Sequence, residues 1–225
     1  MNTAKKILKE AKLVSAAEEV FAKLGFKNAK MEDIAAVAGI TKVTLYSYFQ
    51  SKENLYMAIT YNAVQSLIDK YYETIDKYKM AAGIESSTAL VQCFMEFCED
   101  NYLYSEALLE YFALIRSSSN GEDESKMPEA LKESIYFQKI KNIHNLPFKL
   151  AAKELERGVK DGSIYSEIDI MVHTLQAWSL GVGYAKLISA SGENKSPIFN
   201  ISLEKIKSLN LQLTRSALNG AIKLS

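Results

Sequence analysis

The stretch Met31-Glu32-Asp33-Ile34-Ala35-Ala36-Val37-Ala38-Gly39-Ile40-Thr41-Lys42-Val43-Thr44-Leu45-Tyr46-Ser47-Tyr48-Phe49 decides the fold. It reads as two short helices, Met31 to Ala38 and Lys42 to Phe49, joined by a turn at Gly39. That is the helix-turn-helix layout. Each residue type answers a steric need. Ala35 is small where the second helix crosses close by. Gly39 accepts the positive φ of a tight turn. Ile34, Ala38, Ile40 and Leu45 form an apolar wedge that sets the angle between the helices. Thr41 has the type and place of an N-cap.

A helical wheel turns Leu45 and Phe49 of the second helix inward. Val43, Tyr46 and Ser47 point outward, with Thr44 at the edge and Lys42 at the N-terminal tip. A helix entering a major groove carries such a mixture, and its first turns meet base edges. Lys42 can donate to guanine O6 and N7, Thr44 and Ser47 can donate or accept, and Val43 can pack on a thymine methyl. Tyr46 and Tyr48 have the reach to bring their hydroxyls to phosphate. The alternative for Tyr48 is a ring packed in the core with only its hydroxyl wet. Ser51 is the expected N-cap of a long helix running to about Tyr78, and Ser51-Lys52 sits where free helix N–H groups favour a phosphate.

Working outward, Ile7, Ala11, Val14, Ala17, Phe21 and Leu24 recur at steps of three and four. They mark an amphipathic helix that Gly25 terminates. Charge then supports a nucleic-acid reading that the totals hide. The chain of 225 residues balances 27 Lys+Arg against 27 Asp+Glu. Residues 1–52 nevertheless hold nine Lys against five acids, so this head carries +4 and residues 53–225 carry −4. Arg116, Arg157 and Arg215 all lie outside the head. DNA contacts therefore rest on Lys, hydroxyls and helix ends, and a modest affinity that falls steeply with salt is expected.

These residues resemble the TetR family of bacterial transcriptional regulators. The resemblance rests on Ile34-Ala35, Ala38-Gly39-Ile40-Thr41, Thr44-Leu45-Tyr46, Tyr48-Phe49, Lys52-Glu53 and Leu55, with Ala16-Ala17, Phe21 and Gly25-Phe26 upstream. It covers about residues 5–60. It implies a recognition helix at 42–48 and phosphate contacts from Tyr46, Tyr48 and Lys52. Two positions depart from the family pattern. Val43 stands where the family often has Gly, Ala or Pro, which works against close backbone approach to DNA. Lys30 stands where a Thr commonly caps the second helix and touches phosphate. Lys30 can meet a phosphate as a charge but cannot supply the cap. The candidate DNA-binding set is Lys30, Thr41, Lys42, Val43, Thr44, Tyr46, Ser47, Tyr48 and Lys52.

Beyond residue 52 the pattern stays helical, with segments near 86–101, 104–117, 129–157, 166–190 and 202–222. Pro147 imposes a kink or break near Leu146. Polar, small-residue stretches at 117–125 and 191–197 read as loops. No stretch shows sustained period-two alternation. The fold class is all-α: a three-helix helix-turn-helix head (1–52) and a larger helical domain (53–225), about nine helices in total.

The resemblance implies that 53–225 binds a ligand and forms a homodimer through its last two long helices. Ala177, Gly181 and Ala185 place small residues at every fourth position, where two helices can approach closely. With Leu209, Leu213 and Ala217 of the last helix they form the expected dimer interface, unless both helices line the monomer core. Aromatic residues cluster in the middle of the chain, at Phe94, Phe97, Tyr102, Tyr104, Tyr111 and Phe112. Phe94, Phe97, Tyr102, Tyr111 and Phe112, with Cys98, Ile115, His144 and Trp178, are the expected lining for a flat or amphipathic small molecule. The competing reading is plain helix core.

Other classes find little support. With 48% hydrophobic residues, 10 Gly and 2 Cys, the chain is neither disordered nor a disulfide scaffold. No apolar run reaches the roughly 18–20 residues of a membrane helix. Met1 to Lys12 lacks the apolar core of a secretory signal, so a cytoplasmic protein with reduced thiols is expected. His144 and His173 fall in different predicted helices. Cys93 and Cys98 are too far apart for a zinc knuckle, and a redox role for them stays open. Gly181-Val182-Gly183 lacks the preceding strand of a phosphate loop. No metal, no cofactor and no catalytic site is expected. The function expected is that of a repressor released from a pseudo-palindromic operator by a small amphipathic ligand. The alternatives are a DNA-binding regulator controlled by a protein partner, and a helical enzyme or carrier that keeps the head as a remnant.

Overall fold

The computed structural model describes residues 3–114, 116–118, 121–123, 134–191 and 197–221. The chain forms two compact units. The first comprises residues 1–64 and 106–143, and the second residues 65–105 and 144–225.

In the first unit, α1 (Thr3–Asn28) buries Leu13, Val14, Ala16, Ala17, Val20 and Phe21. The expected stripe is right at Val14, Ala17 and Phe21. Ile7, Ala11 and Leu24 are exposed: the first two precede the buried stretch that begins at Leu13, and the kink at Gly25 brings Phe26 rather than Leu24 onto the core. Gly25, at φ 71 and ψ 157, kinks α1 there, and the Phe26 ring then folds back onto Phe21 and Tyr56, at centroid distances of 5.5 and 4.6 Å. α2 (Met31–Ala38) ends at Gly39 in the left-handed conformation, φ 67 and ψ 35. The Gly39 N–H donates to the Ala36 carbonyl and the Ile40 N–H to the Ala35 carbonyl, the paired bonds of a Schellman turn. α3 (Lys42–Tyr46) starts at Thr41, whose hydroxyl accepts the Thr44 N–H at 3.2 Å. α4 (Lys52–Lys77) starts at Ser51, whose hydroxyl accepts the Asn54 N–H at 3.2 Å. Both caps stand where the sequence places them.

The same unit includes α6 (Tyr102–Leu114) from Glu106 onward and α7 (Ile135–Ile143). Between them lies a feature that helical periodicity does not announce. Arg116–Ser118 (β1) and Gly121–Asp123 (β2) pair antiparallel, with Arg116 opposite Asp123. A helix expected to reach residue 117 thus ends at Leu114, and Arg116 already belongs to β1. Tyr136 on α7 stacks on Phe49 at 6.1 Å and lies 5.9 Å from Tyr61, and the Lys139 ammonium sits over both tyrosine rings.

In the second unit, α5 (Gly83–Asp100) packs against α8 (Leu146–Lys160), α9 (Ile170–Ser191) and α10 (Leu203–Leu218). Pro147 lies in the first turn of α8, which supports the expected break, since proline lacks an N–H that this position does not use. Gly83 and Gly158 permit a close crossing of α5 and α8, backbone against backbone. The N-cap of α5, Ala82, supplies no side-chain cap, and the need is met from α8 and the turn after it. Asp161 accepts the Gly83 N–H at 2.7 Å and Ser163 the Ile84 N–H at 3.1 Å. Arg157 donates to the carbonyls of Ala81 and Tyr78 at 2.7 and 3.4 Å and pairs with the buried Glu154 at 2.8 Å. Farther along, Tyr184 donates to Glu99, which also pairs with Lys207 at 3.2 Å. A half-buried carboxylate such as Glu99 keeps its charge at little cost when satisfied in this way.

Candidate nucleic-acid interface

The helix expected to run to Phe49 ends at Tyr46, with Ser47 as its C-cap, but α3 and the three residues after it still present one apolar and one exposed side. Leu45 and Phe49 are 0% and 3% exposed, whereas Val43 is 81% exposed and Tyr46 40%. Ser47 is exposed and Thr44 half-buried, as the wheel predicts. The hydroxyls are held locally. Thr41 Oγ1 and Thr44 Oγ1 lie 2.9 Å apart, and Ser47 Oγ donates to the Thr44 carbonyl at 2.7 Å. Tyr48 is half-buried, with the Lys9 ammonium over its ring at 5.4 Å, so this residue is part core and part surface.

Three basic residues have partners that the sequence does not show. Lys30 gives no side-chain cap. The Asp33 carboxylate instead reaches back to accept the Lys30 N–H at 3.0 Å. Lys42 pairs with Glu32 of α2, and its ammonium also lies 5.7 Å from the Tyr46 ring centroid. The pairing holds the Glu32 carboxyl below its ordinary range and the Lys42 ammonium above its own. The largest departure is Lys52. Its ammonium donates to the carbonyls of Phe26 at 2.7 Å and Ala29 at 3.0 Å and lies 4.5 Å from the centroid of the Phe26 ring. Whatever its part in the expected phosphate contact, this ammonium is a plug that closes the turn between α1 and α2. The plug forms because Gly25 swings three carbonyls toward the start of α4. No sequence rule links Glu32 to Lys42 or Lys52 to Phe26. These are meetings of long side chains across turns.

The expected ligand lining is divided. Tyr111 and Phe112 belong to the first unit, with Tyr111 fully buried beside Phe137. Phe94, Phe97, Cys98, Tyr102, His144 and Trp178 belong to the second. Phe97, Cys98 and His144 are buried, Phe94 and Trp178 half-buried, and Tyr102 is 46% exposed, so its ring is at the surface. Ile115 lies outside the described residues. Burial pushes the Cys98 thiol up to about 11 and raises Cys93 as well, which disfavours the thiolate form at both. Among the described residues no group of three His, Cys, Asp or Glu could hold a metal, and no helix is long and apolar enough to cross a membrane.

The small-residue stripe requires a correction. Gly181 is buried against Phe94 of its own chain: a Cβ there would lie 2.4 Å from the Phe94 ring. Ala185 and Ala217 are 2% and 8% exposed and also face inward. Ala177 is half-buried. Close approach is real here, but the approaching element is α5. The outward face of α9 carries Met171, Val172, Leu175 and Gly183, and that of α10 carries Leu209 and Leu213.

Comparison with known proteins agrees with this geometry. Residues 13–59 match the model of the bacterial regulatory proteins of the tetR family. The HTH-type transcriptional repressor KstR2 of Rhodococcus jostii is 29% identical over 170 residues, 75% of this chain and 74% of that one. The HTH-type transcriptional activator FasR of Mycolicibacterium smegmatis is 32% identical over 91 residues, 40% of this chain and 41% of that one. The fold is that of the transcriptional regulator FadR of Bacillus subtilis, solved with stearoyl-CoA. The TM-score is 0.65 at 17% identity, over 92% of this chain and 97% of that one. With the helix-turn-helix at 31–46 exposing the residues it does, residues 13–59 form a DNA-binding head of the TetR family, and the chain as a whole has the fold of TetR-family transcriptional regulators.

Proposed function

We propose that this chain is a homodimeric cytoplasmic repressor that leaves a pseudo-palindromic operator when a small amphipathic ligand binds its body. The observation that carries the reading is the split face of α3. An apolar Val43, beside Tyr46, Ser47 and Lys42, stands 81% exposed and adds nothing to the packed core of the described residues. It suits a groove in which a methyl, a hydroxyl and a cation each find a partner. Lys42, Val43, Thr44 and Ser47 read bases. Tyr46, Tyr48 and Lys30 meet phosphates, and Thr41 holds the helix start. Two copies joined through Leu175, Leu209 and Leu213 place two such helices in successive major grooves, about 34–36 Å apart or somewhat more. Repression rather than activation is favoured by the likeness to KstR2, which spans three quarters of the chain. An amphipathic effector is favoured by the stearoyl-CoA bound in a regulator of the same fold. No catalytic step is part of this reading.

Selection of bound duplexes from a random pool tests it. A palindromic consensus is expected, and no enrichment at moderate salt defeats the proposal. The selected duplex then serves to test acyl-CoA thioesters of graded chain length. A tenfold loss of operator affinity needs about 1.4 kcal/mol of differential binding between the two states.

A further inference from the structure

Lys42 is the single cation between Thr41 and Phe49, and it reaches the DNA-facing surface already paired. Glu32, from the first turn of α2, holds its ammonium, and both side chains are open to a ligand, at 49% exposure for Lys42 and 55% for Glu32. We propose that Glu32 is a specificity-determining residue that withholds Lys42 from phosphate and leaves it to the neutral acceptors of a base edge. The proposal rests on the reading of the head as the DNA-binding site.

The argument is electrostatic. An ammonium has three N–H donors, so Lys42 can keep Glu32 and still donate elsewhere. What it can donate to depends on charge. A phosphate brought to Lys42 is an anion brought to the Glu32 carboxylate, and the two repel. Guanine O6 and N7 accept the same N–H with no such repulsion. Non-specific binding is almost wholly attraction to phosphates. Glu32 therefore subtracts more from binding at wrong sites than from binding at the right one. In a head whose cations are all lysines, this matters. A free lysine is an indifferent point charge, with none of the forked geometry by which arginine selects its acceptor.

The test compares full-length wild type, Glu32→Gln, Lys42→Ala and the double variant. Each is titrated against a random-sequence duplex and against the duplex selected by wild type, between about 50 and 200 mM salt. Glu32→Gln is expected to bind the random duplex about threefold to fivefold tighter, with the salt dependence steeper by about 0.9 in log–log slope. Its affinity for the selected duplex is expected to change less, so the ratio between the two falls. In the Lys42→Ala background the same change should have no effect. Three results overturn the proposal: unchanged binding to the random duplex, equal tightening on both duplexes, or an effect that persists without Lys42. A wild-type chain that binds no duplex refutes the DNA-binding reading instead. A wild-type chain that binds, with Glu32→Gln indistinguishable from it, refutes only the role of Glu32.

Discussion

Gly83 and Gly158 meet so closely that a Cβ on Gly83 would lie 2.2 Å from the Cα and the N of Gly158. Nothing at that distance can rotate away, since both atoms are backbone. Gly83→Ala must therefore push α5 and α8 apart and is expected to cost about 3 kcal/mol. Gly158→Ala meets Cδ1 and Cγ1 of the buried Ile164, at 2.4 and 2.6 Å, a side chain rather than backbone, and should cost less than Gly83→Ala. Denaturant unfolding of both variants checks the order. Equal losses, or none at Gly83, would show that the crossing is looser than described.

Lys52 offers a choice between two roles with different readouts. If its ammonium closes the turn after α1, Lys52→Met leaves the carbonyls of Phe26 and Ala29 without their donor. Unfolding should then show a loss of roughly 1–3 kcal/mol, with the salt slope of DNA binding little altered. A slope reduced by about 0.9 at unchanged stability would return Lys52 to phosphate.

Asp161 makes the second unit sensitive to acid. Hydrogen bonds from Ser163 and the Gly83 N–H hold its carboxyl below the ordinary 3.8. A carboxyl depressed in the folded state adds stability that is present above its unfolded value and is lost as pH falls through its folded value. Asp161→Asn should therefore melt lower than wild type at neutral pH, and the gap should close as pH falls below about 4. A gap that stays constant from pH 7 to pH 3 would mean that the charge of Asp161 does nothing for the α5 terminus.

The outward faces of α9 and α10 predict a change of assembly without a change of fold. Leu209 and Leu213 are 51% and 41% exposed. Substituting both by Glu removes little buried area within one chain, so unfolding should shift by no more than about 0.5 kcal/mol per site. Sedimentation should move from dimer to monomer, with loss of binding to a two-half-site duplex. A wild-type chain that sediments as a monomer would remove the dimer from the proposal.

What the sequence discloses depends on how far a residue's partner lies along the chain. The inward Leu45 and Phe49, the outward Val43, the caps at Thr41 and Ser51 and the turns at Gly25 and Gly39 all follow from local rules, and the structure has them so. Pro147 breaks its helix for the same reason. Gly181 was ambiguous in principle. Small residues at every fourth position mean that something comes close, and periodicity cannot say whether that is Phe94 of the same chain or a second copy. The polar caps on α5 were out of reach altogether. Asp161, Ser163 and Arg157 serve a helix start some 76 to 79 residues earlier. Glu32 and Lys42 lie only ten residues apart, but a turn intervenes, and no spacing rule spans it.

The first unit is discontinuous, and this has a consequence for how the chain is made. Phe49 and Tyr61 are synthesised early, yet the ring that packs on both belongs to Tyr136. Elongation at about 5–20 residues per second puts roughly four to fourteen seconds between Val64 and Tyr136. For that interval the nascent head has its recognition helix but not the stacking partner of Phe49. A message cut short, or a ribosome stalled, before residue 136 would release a head that carries the exposed α3 residues without that partner.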